Sequence, residues 1–215
     1  MLKEKRLVER IILYILGLLV MAFGVAFSVN ADLGVTPVSA LPFVLSLISG
    51  ISMGMVVIAT NLFYIFLQII ILQKNFKWIN LTQIIFSFIF GYFVDFALLV
   101  LGDFVLPAYF GRFLMMVVGT VLLTVGIVLY MKARLVNLPP EGLADALAQK
   151  IPKCQFYQAK IGMDSMLVII SLVLSFLLLN GIYGIREGTI FAAIFIGKLI
   201  PVIGKFVEPA LRKFE

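Results

Sequence analysis

The sequence predicts an all-α, polytopic membrane protein: six transmembrane helices forming two inverted three-helix repeats, with a short broken or re-entrant helix after the first and fourth spans. Three observations predict it. The chain of 215 residues is 63% hydrophobic and 13% charged, too apolar for a water-soluble domain of that length. Six apolar runs divide it, each near the roughly 20 residues that cross about 30 Å of hydrocarbon. Of the 17 Lys and Arg residues, all but Arg112, Arg186 and Lys198 fall in segments that share one side of a membrane if the chain starts there. Cationic loops resist translocation, so both termini are expected on the cytoplasmic side.

The spans are expected near 8–29, 54–73, 79–101, 110–131, 161–180 and 187–205. Helices are expected because lipid offers no partner for backbone N–H and C=O groups, and the runs lack the alternation of barrel strands. The first run follows basic residues, as in a signal peptide. It is long and has no clear small-residue cleavage site, so it reads as a retained span. The break after it is Asn30-Ala31-Asp32-Leu33-Gly34-Val35-Thr36-Pro37, where Thr36 and Pro37 form a helix-start signal. The apolar stretch 37–49, ending at Gly50, is too short to span and is either a re-entrant half-helix or an interfacial helix. The break after the fourth span is Asn137-Leu138-Pro139-Pro140-Glu141-Gly142. There Leu143, Ala144, Ala146 and Leu147 alternate with Asp145, Gln149 and Lys150, which predicts a short amphipathic helix on the cytoplasmic side.

Gly17, Gly24, Ala31, Leu33, Pro37 and Leu41 recur 102 positions later as Gly119, Gly126, Ala133, Leu135, Pro139 and Leu143. Chance gives roughly two identities in such a window at ordinary residue frequencies. With small register shifts, Asn61 falls near the counterpart of Asp164 and Gly91 near that of Gly197. Two repeats, 1–104 and 105–215, together make one membrane domain. Three spans in each force the halves into opposite orientations, the architecture of many secondary transporters. Chance likeness of apolar sequences is the competing explanation.

The run Ala31-Asp32-Leu33-Gly34-Val35-Thr36-Pro37 resembles the signature of the YczE/YyaS/YitT-like bacterial membrane proteins. Pro140-Glu141-Gly142, then Lys160 and Asp164, then Gly184-Ile185-Arg186-Glu187-Gly188-Thr189 extend the resemblance over nearly the whole chain. Many members carry an aromatic and an acid after the first Pro, where this chain has Val38 and Ser39. The resemblance implies a multi-pass protein of the bacterial cytoplasmic (inner) membrane with a suspected transport role and no assured substrate.

A charge within hydrocarbon costs about 2.5–3.5 kcal/mol on insertion scales, so each one needs a reason. Asp95 is either an ion or proton site or a carboxylate reaching water past Gly102 and Asp103. Lys160 and Asp164, four apart, share a helix face and either line a cavity or form a salt bridge at the membrane edge. Arg186, Glu187 and Thr189 open the sixth span; they offer a fork for carboxylate or phosphate, or cap the helix. Lys198 lies midway along that span and either snorkels or pairs with Asp95 or Asp164. Glu141 caps a helix start or faces solute. Thr36, Pro37 and Asn61 complete the expected substrate-binding set. Gly17, Gly24, Gly119 and Gly126 are read as sites of close helix packing.

There is no histidine and one cysteine, and no Walker loop, zinc motif or nucleophile elbow, so no enzyme chemistry, metal or cofactor is expected. The net charge of +6 lies beside spans rather than on an aromatic-rich face, so the expected partners are the lipid bilayer and a small-molecule solute, not nucleic acid. The leading expectation is a small-solute transporter working by alternating access. The starts at Thr36-Pro37 and Pro139-Pro140 favour an anionic or carboxylate-bearing metabolite. The alternative is the substrate-binding subunit of a vitamin-type ATP-driven importer, in which Ala22-x-x-x-Ala26 would meet an energising partner. A homodimer through glycine-lined faces is also open.

Overall fold

The structure, a computed structural model, describes the backbone of residues 2–211 and the side chains of residues 7–206. The side chains of Lys3, Lys5, Arg6, Arg212 and Lys213, used above for orientation, lie outside the described residues. Among the described residues there are eight α-helices: α1 (Leu2–Ala31), α2 (Pro37–Ser49), α3 (Met53–Leu72), α4 (Thr82–Leu101), α5 (Ala108–Lys132), α6 (Pro139–Lys150), α7 (Phe156–Leu179) and α8 (Glu187–Leu211). Six are long and apolar enough to cross a membrane, over Leu7–Ala31, Met53–Asn75, Trp78–Leu101, Ala108–Lys132, Phe156–Leu179 and Glu187–Phe206. The protein is thus an all-helical, multi-pass membrane protein. The fifth span starts earlier than the expected 161. Gln155 and Gln158 form a reciprocal capping box there, a polar start signal that hydropathy alone passes over.

The helices divide into two compact units. One holds the residues up to Thr36, Phe96–Leu135 and those from Arg186 on; the other holds Pro37–Asp95 and Val136–Ile185. Each unit therefore draws elements from both 1–104 and 105–215.

In the first unit α1 packs along α5, and α5 along α8. Glycines set the approach of α1 to α5. A Cβ on Gly17 would lie 2.9 Å from the Gly126 carbonyl oxygen, and one on Gly24 would lie 2.7 Å from that of Gly119. Gly17 thus faces Gly126 and Gly24 faces Gly119, so α1 and α5 run antiparallel. A shift of 102 residues carries each facing pair onto the other, so this packing is symmetric in the repeat. Backbones in such contact gain dispersion and weak Cα–H···O interactions, which matter where lipid removes the hydrophobic drive between helices. Tyr14 meets Tyr130 edge-on, with centroids 5.5 Å apart. The Arg10 guanidinium donates to the carbonyls of Ala133 and Arg134 at the end of α5, where a cation complements the helix dipole.

In the second unit α2 packs on α7, α3 on α6, α6 on α7 and α2 on α3. Exchanging α2 with α6 and α3 with α7 carries this set of contacts onto itself. Both short helices have protein over their apolar faces. Pro37, Ala40, Pro42 and Val44 of α2 are buried, as are Pro139, Pro140, Gly142, Leu143, Ala144 and Ala146 of α6. The expected interfacial face of α6 therefore rests on α3 and α7 instead of lying open to lipid.

The glycine contacts lead to a stability prediction. Gly24→Ala places a Cβ 2.5 Å from the Leu123 backbone nitrogen, so the helices must separate. The expected loss is about 1–3 kcal/mol, read as a lower midpoint of thermal unfolding in detergent. Gly197→Ala, with nothing within 4 Å of the added Cβ, is expected to leave that midpoint unchanged or raise it slightly.

Candidate functional site

The second unit gathers the most chemistry. Leu41 of α2 and Leu143 of α6 are repeat counterparts, each about one turn past its opening proline. Both pack into one cluster with Tyr64, Ala144, Met163 and Leu167. The starts of both broken segments thus meet the same few residues of α3 and α7.

Beside this cluster stands an ion group. Lys160 Nζ lies 2.8 Å from Asp164 Oδ1 and 3.8 Å from Glu141 Oε1. The three side chains are 22–24% exposed. The spacing of Lys160 and Asp164 puts them on one face of α7, and α6 brings Glu141 to that face. Two carboxylates share one ammonium, so the group carries both signs of charge in a largely desolvated place. Tyr64 packs in the cluster with Met163, the residue before Asp164. The Tyr64 hydroxyl is buried and makes no hydrogen bond among the described residues. A buried phenol usually finds a partner, and leaving one unsatisfied costs about 1–3 kcal/mol.

Asn61, Tyr64 and Gln68 follow at helical spacing on α3 and are all buried. Gln68 Nε2 donates to Gln83 Oε1 at 3.1 Å and to the Pro139 carbonyl at 3.1 Å. A Cβ on Gly142 would lie 2.7 Å from Gln68 Oε1, so glycine there lets α6 close on the amide. Asp95, also in this unit, accepts from Ser52 Oγ and from the Gly54 N–H, each at 2.6 Å. Its carboxylate serves the start of α3, a use neither sequence reading anticipated. Pro37 opens α2.

Thr36, Arg186, Glu187, Thr189 and Lys198 belong to the first unit. Arg186 Nη1 donates to the Asp32 carbonyl at 2.9 Å and lies 3.9 Å from the Asp32 carboxylate, which also takes Arg112 at 3.1 Å. Glu187 pairs with Arg186 at 3.6 Å and accepts from Tyr109 at 3.3 Å. The Gly188 N–H donates to the Leu33 carbonyl at 2.7 Å. Gly34, at φ +103°, leaves room where a Cβ would meet the Arg186 nitrogen and Thr189 Oγ1, both at 2.7 Å. The two motifs quoted from the ends of the chain are therefore one latch. Thr36 and Thr189 are buried in it or next to it. Lys198 is exposed, and no side-chain partner for it is seen among the described residues.

Sequence reasoning missed Asp32, Tyr64, Gln68 and Gln83. Asp32 stood inside the quoted motif. Tyr64 and Gln68 could have been found as polar interruptions of an apolar run, three and seven residues after Asn61.

These features define a multi-pass membrane protein with a mixed-charge interior between two broken helices. The chain belongs to the DUF6198 family, a family of unknown function, which it matches over residues 8–205. No curated protein and no solved structure matches it.

The ion group yields a stability test. Lys160→Met leaves two half-buried carboxylates without their cation. Breaking a fully buried pair costs about 3–5 kcal/mol, and partial exposure lowers this to about 2 kcal/mol. Tyr64→Phe removes an unsatisfied hydroxyl and is expected to leave stability unchanged or raise it by about 1 kcal/mol. Both are read from thermal unfolding of the purified protein in detergent.

Proposed function

We propose that the protein is a small-solute transporter whose second unit holds the solute, and that the solute bears a carboxylate. The observation that carries this is the meeting of α2 and α6 at one cluster beside Glu141, Lys160 and Asp164. Broken segments in matching positions of two repeats are where transporters place their sites. Helix starts aim partial positive charge at an anionic group, and Lys160 adds a full charge. The antiparallel, repeat-symmetric contact of α1 with α5 supports two halves of opposite orientation, and rocking of one against the other gives alternating access. The distribution of Lys and Arg supports cytoplasmic termini, and the motif resemblance supports the bacterial inner membrane and kinship with the YczE/YyaS/YitT-like proteins.

The alternative, a capture subunit of an ATP-driven importer, drew on Ala22 and Ala26. Both are fully buried, so they offer no face to an energising partner.

The test is flux. Purified protein in proteoliposomes, with no other component, is expected to move a carboxylate-bearing solute down an imposed gradient. Asp164→Asn and Lys160→Gln are each expected to lower the rate at least tenfold while the protein still inserts. Absence of flux across a metabolite panel, with tight binding only in the presence of an ATPase partner, contradicts the proposal.

A further inference from the structure

A cavity of about 150 Å³ opens at the end of the second unit where α3 ends and α4 and α6 begin. A cavity of that size holds a molecule of about six non-hydrogen atoms. Its lining differs sharply from the rest of this chain. Asn75, Asn80, Asn137, Gln83 and Gln149 contribute amides, Lys77 contributes a cation and Asp145 an anion. Gln83 is only 2% exposed, and its amide is locked to that of Gln68. Asp145 is partly oriented by Gln149 Nε2, which donates to its Oδ2 at 2.8 Å. No side-chain partner is seen for Lys77 among the described residues.

A lysine before α4 and an aspartate on α6, lining one cavity together with five amide side chains, suit a molecule that carries both charges itself. A lone anion leaves the charge of Asp145 unanswered, and a lone cation leaves that of Lys77 unanswered. We infer that this cavity binds a small zwitterion of α-amino-acid size, its carboxylate toward Lys77 and its ammonium toward Asp145 and the amide oxygens. The inference rests on the transport reading for its purpose, because it narrows the carboxylate-bearing solute to one with a neighbouring ammonium.

The interior continues the same chemistry. The cavity is walled by Gln83 and Gly142. Gln68, bonded to Gln83, is about one turn along α3 from Tyr64, which packs with Met163 and Leu167 of α7. Glu141, Lys160 and Asp164 again offer both charges. The reciprocal amide pair Gln68–Gln83 thus lies in sequence and contact between the cavity and the Glu141–Lys160–Asp164 group.

The experiment measures binding without a gradient, by saturation-transfer NMR on the full chain in detergent. Glycine, L-alanine and L-serine are compared with propionate, ethylamine and propionamide. The zwitterions are expected to bind at least tenfold more tightly than any of the other three. Lys77→Gln is expected to weaken alanine and propionate at least fivefold and leave ethylamine unchanged; Asp145→Asn is expected to do the reverse for propionate and ethylamine. Lys77 is exposed and Asp145 half-buried at the rim, and Lys150→Gln, outside the cavity, is the control expected to change nothing. Equal binding of zwitterions and single-charge compounds, no binding of any zwitterion, or insensitivity to both substitutions overturns the inference. Flux of another solute in proteoliposomes with no zwitterion binding sinks this inference alone. Zwitterion binding that depends on Lys77 and Asp145, with no flux of any solute, sinks the transport reading alone.

Discussion

A helix that is too short to cross a bilayer must have its ends covered by protein, and the second unit is organised around that constraint. At about 1.5 Å per residue, α2 and α6 reach only about 20 Å. Hydrocarbon solvates no backbone N–H or C=O, so a helix end within it needs partners from the chain itself. Pro37 and Pro139 each remove one donor at a helix start. The Pro139 carbonyl takes the Gln68 amide. At the far end of α2, the Gly50 N–H returns to the Ser46 carbonyl. The start of the next helix, α3, is capped by Ser52 and by Asp95. Polar side chains in an apolar chain are thus partly the means by which interrupted helices are made tolerable.

On the proposed transport reading, the same arrangement is also the place for solute. Leu41 of α2 and Leu143 of α6 share one cluster beside one ammonium and two carboxylates, while the Tyr64 hydroxyl has no hydrogen-bond partner among the described residues. A structure optimised only for stability would fill such a place with apolar side chains, since replacing buried ion pairs by well-packed hydrophobic groups is often neutral or stabilising. Retaining the charges at that disadvantage points to use. By contrast, the Asp32–Arg112–Arg186 latch is solvent-exposed. Pairs of that kind contribute about 0–1 kcal/mol each, so its value lies in fixing the backbone at Gly34 against the start of α8.

The spans were legible because hydropathy over about 20 residues is a strong signal, and both short helices were legible from proline placed after a break. The glycine positions were legible as packing sites, but not which glycine meets which; the antiparallel register of Gly17 with Gly126 needs coordinates. Lys160 and Asp164 were found by spacing within one helix. Glu141 was read as a helix-start cap or a solute-facing residue, and its link to Lys160 was not legible because it crosses from α6 to α7. The bonds of Asp95 to Ser52 and Gly54 were not legible, since those partners lie some forty residues earlier and no local pattern connects them. The cavity at Lys77 and Asp145 was invisible, because its polar residues resemble ordinary loop chemistry until three separate segments are brought together.

The central claim is that Leu41 of α2 and Leu143 of α6 converge on one cluster in the interior of the second unit. The distance between spin labels at Leu41→Cys and Leu143→Cys, in a Cys154→Ser background and in lipid, tests it most directly. Convergence predicts a narrow distribution below about 20 Å, allowing for label length. A distance near or above the roughly 30 Å of a hydrocarbon core would place the two helices at opposite membrane surfaces and contradict it.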